Sequence, residues 1–291
     1  MNICIAGGSG FIGKNLRAFW ENKGHQITLI SRSDFETNEV YKKIANKELL
    51  VNLIGEPIIG RWTKAKKMAI YNSRINTTKM LVDAVNTTEN QLKSFINISA
   101  VGLYDDSHIH DENSTHYATN YLTQVICDWE AQIKNIQDMD IRKIILRLGI
   151  VLGKDGGLFR QLLLPLHYKI AFSIRNFKGL PFIHMKDLLS IFDFVLNTPT
   201  VKGIINGVSP VQVDWFNFLL CLNGKIKPWI KINIGLDFIR LVLGESAILI
   251  TGGQKVIPAK LVNAGFTFSF PDIKSAIDDL MVFNKNYIES E

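Results

Sequence analysis

A chain of 291 residues with 47% hydrophobic and 21% charged side chains can bury one large α/β domain with an appendage, or two small domains, which excludes a disordered adaptor. The net charge of +6 favours anionic ligands in general. The densest basic cluster, Lys64, Lys66 and Lys67 with Arg61 and Arg74, falls on a helical pattern and reads as a solvated face, so no nucleic-acid partner is expected.

The first element is an apolar run, Ile3-Cys4-Ile5-Ala6, that reads as a buried parallel strand. Gly7, Gly10 and Gly13 follow, and residues 11–20 read as a helix whose first turn carries the last two glycines. In a dinucleotide site Gly7 allows the tight turn, Gly10 lets the backbone approach a pyrophosphate, and Gly13 lets helix and strand pack closely. The helix N–H groups near Phe11 and Ile12 then face the negative charge. No basic and apolar leader precedes the strand, and the apolar stretch 234–250 is broken by Asp237, Arg240 and Glu245. A soluble cytoplasmic protein with no membrane partner is expected.

Residues 25–31 read as the second strand and 48–53 as another buried one. The polar stretch 34–47 between them holds either an abbreviated strand or none. Residues 63–85 have helical spacing, with Ala69, Ile70, Met80, Leu81 and Ala84 inward. Residues 95–99 read as a strand, 117–136 as a helix and 143–152 again as a strand. This alternation argues for a parallel sheet covered on both faces. Past Gly157 the pattern is less regular, with a helix at 185–196 and a short strand at 203–208. The expected fold is α/β, a Rossmann-like doubly wound parallel sheet with a smaller C-terminal α+β module on the substrate side. Residues 1–202 form the NAD(P)-binding part (core 1–155, return helix 185–198), and residues 203–291 pack on it.

Strand two ends Leu29-Ile30-Ser31-Arg32-Ser33, where the adenosine ribose of a dinucleotide lies. An acidic side chain there usually accepts from the 2′-hydroxyl of NAD. Arg32 offers a cationic fork instead, with hydroxyls from Ser31 and Ser33, a set suited to a 2′-phosphate. NADP is therefore expected in preference to NAD. Leu53, Gly55, Glu56 and Arg61, after the strand 48–53, complete the cofactor-binding candidates. Glu56 is suited to act as a base, to bind substrate hydroxyls, or to pair with Arg61 and fix the loop.

Several segments together resemble one atypical branch of the extended short-chain dehydrogenases/reductases, the YfcH-like (SulA-like) NAD-dependent epimerase/dehydratase family. They are Asn52-Leu53-Ile54-Gly55-Glu56-Pro57-Ile58 with Gly60-Arg61-Trp62, Ser73-Arg74, Ser99-Ala100-Val101-Gly102, Asp128-Trp129-Glu130, and Arg147-Leu148-Gly149-Ile150-Val151-Leu152-Gly153. Ile183-His184 with Asp187-Leu188, Leu243-Gly244-Glu245, Pro258-Ala259-Lys260-Leu261 and Gly265-Phe266 extend the likeness over nearly the full chain. The resemblance implies an oxidoreductase or nucleotide-sugar-epimerase-like enzyme acting on a small molecule, and a homodimer through helices 63–85 and 117–136. A non-catalytic NADP-binding regulator or sensor is the alternative, since some relatives are labelled cell-division inhibitors.

Catalysis in that superfamily uses a tyrosine and a lysine four residues later. With Glu130 set against the glutamate that follows the lysine by four, those positions hold Leu122 and Ile126. Ser99, at the carboxyl edge of the sheet, and Tyr104 remain as proton-handling candidates. Ser99 reads equally as a structural cap. Trp62 and His184 are the substrate-pocket candidates, His184 also reading as a hydrogen-bonded structural residue. One histidine and one carboxylate, His184 and Asp187, are too few for a metal, and three scattered cysteines, Cys4, Cys127 and Cys221, suggest neither a metal site nor a disulfide framework. Arg147, in a buried-looking strand, needs a partner, an acidic loop residue in preference to an anionic substrate. The segment between Gly157 and His184 departs from the family pattern, which implies a remodelled pocket wall.

Overall fold

The computed structural model describes residues 1–282. In chain order, β1 (Asn2–Ala6) leads through α1 (Phe11–Asn22) to β2 (Gln26–Ile30), and two short helices, α2 (Arg32–Glu36) and α3 (Glu39–Ile44), return the chain to β3 (Leu49–Asn52). Next come α4 (Lys64–Thr87), β4 (Ser94–Ala100), β5 (Ile109–His110), α5 (Tyr121–Ile133) and β6 (Arg142–Leu148). The chain continues through β7 (Ile150–Leu152), α6 (Gly157–His167), β8 (Ile170–Ser173), β9 (Phe182–His184), α7 (Met185–Asn197) and β10 (Gly203–Gly207). The last stretch holds α8 (Trp215–Asn223), β11 (Ile230–Asn233), α9 (Leu236–Leu243), α10 (Ile248–Thr251), β12 (Lys255–Val256), α11 (Ala259–Asn263) and α12 (Ile273–Val282).

Six parallel strands form the central sheet in the order β10-β6-β4-β3-β1-β2. The strands alternate faces as period two requires. Ile3 and Ile5 of β1 join Leu16 and Trp20 of α1 and the apolar face of α7, while Cys4 and Ala6 join α3 and α4 on the other side. The chain runs outward from β1 to β2 and then crosses back to β3 on the other flank of β1. This reversal puts the topological switch point at the carboxyl ends of β1 and β3, the place where open α/β sheets bind ligands.

Of the two alternatives for 34–47, no strand forms: a capping box between Ser31 and Asp34 starts α2, and Asn38 and Asn46, both at φ 59°, turn the chain around α3. Other expectations are corrected. The run 143–152 is two strands, because a Cβ on Gly149 would lie 2.5 Å from the Pro181 carbonyl oxygen, where β7 leaves the sheet to pair with β9. The helix expected from residue 117 starts at Tyr121 under an Asn120 cap, and Tyr117 instead bridges Tyr104 in antiparallel fashion. On α4 the buried stripe includes Ile70, Ile75, Thr78, Leu81 and Val85, leaving Ala69 exposed and Met80 half-buried.

The strand at 203–207 pairs with β6 as the edge of the central sheet. A second apolar core joins Phe159, Leu166 and Phe182 to Trp215, Phe218, Ile277 and Leu280, so the segment 157–182 packs with the C-terminal helices. Residues 283–291 of the expected second module lie outside the described residues.

The three glycines of the first turn are not equivalent. A Cβ on Gly13 would meet the Gly7 carbonyl oxygen at 2.4 Å and Gly8 Cα at 2.7 Å, whereas one on Gly10 meets only the Gly7 oxygen, at 3.4 Å. Gly13→Ala is therefore expected to destabilise the fold by about 1–3 kcal/mol through overpacking. Gly10→Ala should cost less than about 1 kcal/mol, and urea denaturation of both variants checks the contrast.

Candidate functional site

Gly7 sits at φ +85°, a conformation that favours glycine, and a Cβ there would also lie 2.9 Å from the Leu53 carbonyl carbon. Gly10 is the N-cap of α1 and supplies no side-chain cap, and the first turn carries no acidic residue. The N–H groups at Phe11 and Ile12 thus belong to a helix end with a net positive field. The Phe11 ring itself points away, packing against Gly153, Gly156 and Gly157, where a Cβ would approach it to between 2.5 and 3.1 Å. The two glycine segments are therefore locked together through one aromatic ring.

At the end of β2 an acid is present after all, three residues beyond Ser31. Asp34 is buried, and its Oδ2 accepts from the Ser31 N–H at 2.6 Å, the Ser31 hydroxyl at 2.7 Å and Lys43 Nζ at 2.7 Å. Lys43 and the Ser31 N–H hold its pKa down to about 2. This carboxylate is spent on shaping the turn. Arg32 extends with 88% of its side chain exposed, its nearest anion being Glu56 at 3.7 Å, and the Ser31 and Ser33 hydroxyls stand 2.9 Å apart beside it.

The loop after β3 is held from beneath by α4. Ser73 Oγ accepts the Glu56 N–H at 2.9 Å, and Arg74 Nη1 donates to the Glu56 carbonyl at 3.0 Å and to Ile70 at 3.2 Å. A Cβ on Gly55 would meet Arg74 Nη2 at 3.0 Å, so the loop lies directly on the guanidinium, whose pKa burial pulls down to about 10. Glu56 pairs with Lys66 at 2.8 Å, and this hydrogen bond lowers its pKa; the pairing with Arg61 is not formed. Lys67 pairs with Glu245 of the C-terminal part. The basic cluster is thus only in part a solvated face: Arg61 and Lys64 are exposed, whereas Lys66, Lys67 and Arg74 are committed to internal contacts. Leu53 is half-buried and Arg61 exposed, the latter with Nε 3.8 Å from where a Gly244 Cβ would be. Trp62 is 9% exposed: its Nε1 donates to the Ile58 carbonyl at 2.8 Å and its ring packs on Tyr121.

Under the carboxyl edge lies a buried polar chain. Ser99 Oγ donates to Glu130 Oε1 at 2.5 Å, and Arg147 grips both Glu130 oxygens, Nε at 2.8 Å and Nη2 at 2.7 Å. Arg147 Nη1 also donates to the Tyr104 hydroxyl at 2.8 Å, and that hydroxyl lies 3.1 Å from Asn206 Oδ1 and 3.0 Å from the Asp111 carbonyl. Burial works against the Arg147 charge, but the Glu130 carboxylate and the neighbouring tyrosines raise its pKa. Burial also raises the Tyr104 pKa. Ser99 is 4% and Tyr104 0% exposed, and both hydroxyls have partners inside the protein. The partner of Arg147 is Glu130, which stands on the helix α5 and not on a loop as expected. Asn206 carries the chain onward: its N–H donates to Glu112, which accepts the Lys260 N–H from its other oxygen.

His184 and Asp187 serve the same docking. His184 is the N-cap of α7, its Nδ1 accepting the Lys186 N–H at 3.1 Å, and its ring packs on Phe270. Nε2 lies 3.3 Å from Asp279 Oδ2 but is misaligned for a hydrogen bond. Asp187 accepts from the Ser269 and Phe270 N–H groups at 2.8 and 2.9 Å. Sequence reasoning missed Lys66, Arg74, Glu130 and Asn206 as site-shaping groups, although Ser73-Arg74 and Glu130 stood among the motifs.

Residues 3–206 match the NAD dependent epimerase/dehydratase family. The chain belongs to that family. Residues 238–280 match a second family, described as a domain of unknown function, DUF1731. The epimerase-family relatives include mouse SDR39U1, 28% identical over 293 residues (97% of this chain, 100% of that protein). YfhF of Bacillus subtilis strain 168 is 29% identical over 304 residues (98% and 99%). The crystal structure of human epimerase family protein SDR39U1 (isoform 2) with NADPH superposes with a TM-score of 0.89 at 27% identity, covering 96% of this chain and 99% of that one. In this family member, the positions that the resemblance assigns to a tyrosine and a lysine are filled by Leu122 and Ile126, 8% and 4% exposed and packed in apolar clusters. Among the described residues, no helix is long and apolar enough to cross a membrane.

Two outcomes test this site. Glu130→Ala leaves Arg147 buried without its carboxylate and is expected to cost about 3–5 kcal/mol, read by chemical denaturation. Burial lowers the His184 pKa from 6.5 to about 4, with Asp279 opposing. The unfolded chain therefore binds more protons between these values, and this contribution is complete above about pH 6.5 and lost as pH falls toward 4. Melting temperatures across that window should fall for the wild type, and fall less steeply for His184→Asn, which can still cap α7.

Proposed function

We propose that this chain binds NADP(H) along the carboxyl edge of β1, β2 and β3. The observation that carries the reading is the division of labour at the end of β2. Asp34, the group that would favour a free 2′-hydroxyl, is consumed by Lys43 and by the Ser31 N–H and hydroxyl, whereas Arg32 projects a largely exposed guanidinium fork whose nearest anion, Glu56, stands 3.7 Å away. The first turn fits the same ligand, since Gly10 is a glycine that the fold itself does not require. Gly7, Gly10, Gly13 and the N–H groups at Phe11 and Ile12 would hold the pyrophosphate. Ser31, Arg32 and Ser33 would hold the adenosine end, and the Leu53-Ile54-Gly55-Glu56 loop the nicotinamide side. NADPH in the human SDR39U1 structure supports this assignment.

The nicotinamide would supply a hydride acceptor or donor for a small hydroxyl or carbonyl compound, making the chain an oxidoreductase or epimerase. Ser99 and Tyr104 are then the proton-handling candidates nearest the edge, and their present partners mean that either would have to exchange Glu130 or Arg147 for substrate. A second reading, a cofactor-binding regulator without turnover, is favoured by the apolar Leu122 and Ile126. The cytoplasm is the proposed setting for either.

Calorimetric titration with NADPH and NADH tests the cofactor. NADPH should bind at least tenfold tighter than NADH, and Arg32→Ala should weaken NADPH by roughly 10–100-fold, the worth of a charge-assisted hydrogen bond, with little effect on NADH. Gly10→Ala should weaken both while leaving stability nearly intact. Equal affinity for the two cofactors, or an unchanged Arg32→Ala, overturns the assignment. If cofactor turnover on a carbonyl panel survives replacement of both Ser99 and Tyr104, those two residues are not the proton donors.

A further inference from the structure

We propose that Asp105, His108 and His116 bind a divalent late first-row transition-metal ion, Zn²⁺ foremost, which clamps the loop between β4 and α5. The three side chains can each present a ligand atom with all three atoms within 4.8 Å of one another. The backbone builds this juxtaposition. Tyr104 and Tyr117 form an antiparallel bridge, and the Asp105 N–H donates to the His116 carbonyl at 3.2 Å, which sets Asp105 opposite His116 across the base of the loop. Asp105 Oδ1 accepts the Ser107 and His108 N–H groups at 3.0 and 3.1 Å, a tight turn that swings His108 back over the carboxylate, with Nδ1 2.8 Å from Oδ2. The His108 and His116 rings stack with centroids 4.3 Å apart.

The carboxylate is oriented from behind, as metal ligands usually are. His110 is fully buried, its ring stacked on Tyr104 at 4.6 Å, and its Nε2 lies 3.2 Å from Asp105 Oδ1. Its Nδ1 has no partner, so assigning the proton to Nε2 lets His110 donate to Asp105. A carboxylate and two imidazoles are the donor set of Zn²⁺ and its neighbours, at bond lengths of about 2.0–2.2 Å, and not of Mg²⁺ or Ca²⁺, which take oxygen. Closing the ligands around an ion requires a shift of the side chains, which the half-exposed His108 permits.

Three protein ligands close the loop 105–116 at its base. The loop is flanked by Tyr104 and Tyr117, both of which accept from Arg147, and it carries β5, which pairs with β12 of the C-terminal part. An ion at this place therefore braces the buried polar chain from outside. The inference does not rest on the cofactor reading.

Calorimetry of tag-free, EDTA-treated protein with ZnCl₂ tests it, with MgCl₂ as the comparison and CoCl₂ for a visible ligand-field spectrum. One Zn²⁺ per chain is expected, with a rise in melting temperature. His108→Ala and His116→Ala should each weaken binding by at least the roughly 100-fold upper range for losing an outer-shell partner, while the exposed His167→Ala changes nothing. Asp105→Asn retains the turn acceptor and should weaken binding as well. The proposal is overturned by failure of the wild type to saturate with Zn²⁺, by equal binding of Mg²⁺, or by undiminished Zn²⁺ binding in the His108→Ala/His116→Ala double variant.

Discussion

The buried pair between Glu130 and Arg147 is the interaction on which the rest of the site depends. It joins α5 to β6 beneath the carboxyl edge, fixes Ser99 of β4 through one oxygen, and reaches β10 and residues 257–260 through Tyr104, Asn206 and Glu112. A buried ion pair gains little over an apolar replacement, because desolvation offsets most of its attraction. Its effect here is one of geometry. A satisfied polar chain admits one arrangement of α5, three strands and the C-terminal segment, whereas an apolar filling would tolerate several.

The carboxyl edge is shaped from three sides by groups that do not themselves face a ligand. Asp34 and Lys43 set the turn after β2, Ser73 and Arg74 carry the loop after β3, and Phe11 fastens the first glycine turn to Gly153, Gly156 and Gly157. The C-terminal part is drawn to the same edge by Lys67 with Glu245, by Asp187 with the backbone of Ser269 and Phe270, and by Glu112 with Lys260. Most of the charged residues near the edge are therefore used for positioning, and few remain to meet a small molecule.

What was legible in the sequence was local. The glycine turn, the six sheet strands and the helices at α1, α4, α5 and α7 follow from periodicity and from residues a few positions apart. The choice between an abbreviated strand and none in 34–47 turns on the capping box between Ser31 and Asp34, which starts a helix there. The break at Gly149 depends on Pro181, 32 residues away, and no local signal reports it. Arg147 visibly required an anion, but only packing of α5 on β6 selects Glu130. Trp62 packs on Tyr121 and His184 on Phe270, contacts between residues far apart in sequence that no local signal reports. The histidines at 108 and 116 match no ligand spacing, and they meet because an antiparallel bridge folds the loop back on itself.

The exposure of Arg32 separates two properties that are usually entangled. The capping box that starts α2 runs from Ser31 to Asp34 and bypasses the side chain between them, so neither packing nor backbone geometry depends on what stands at position 32. Whatever preference that side chain sets among anionic ligands can therefore drift by single substitutions with almost no penalty in folding. Ligand discrimination at this corner of the molecule is evolutionarily cheap to change, while the turn presenting it is not.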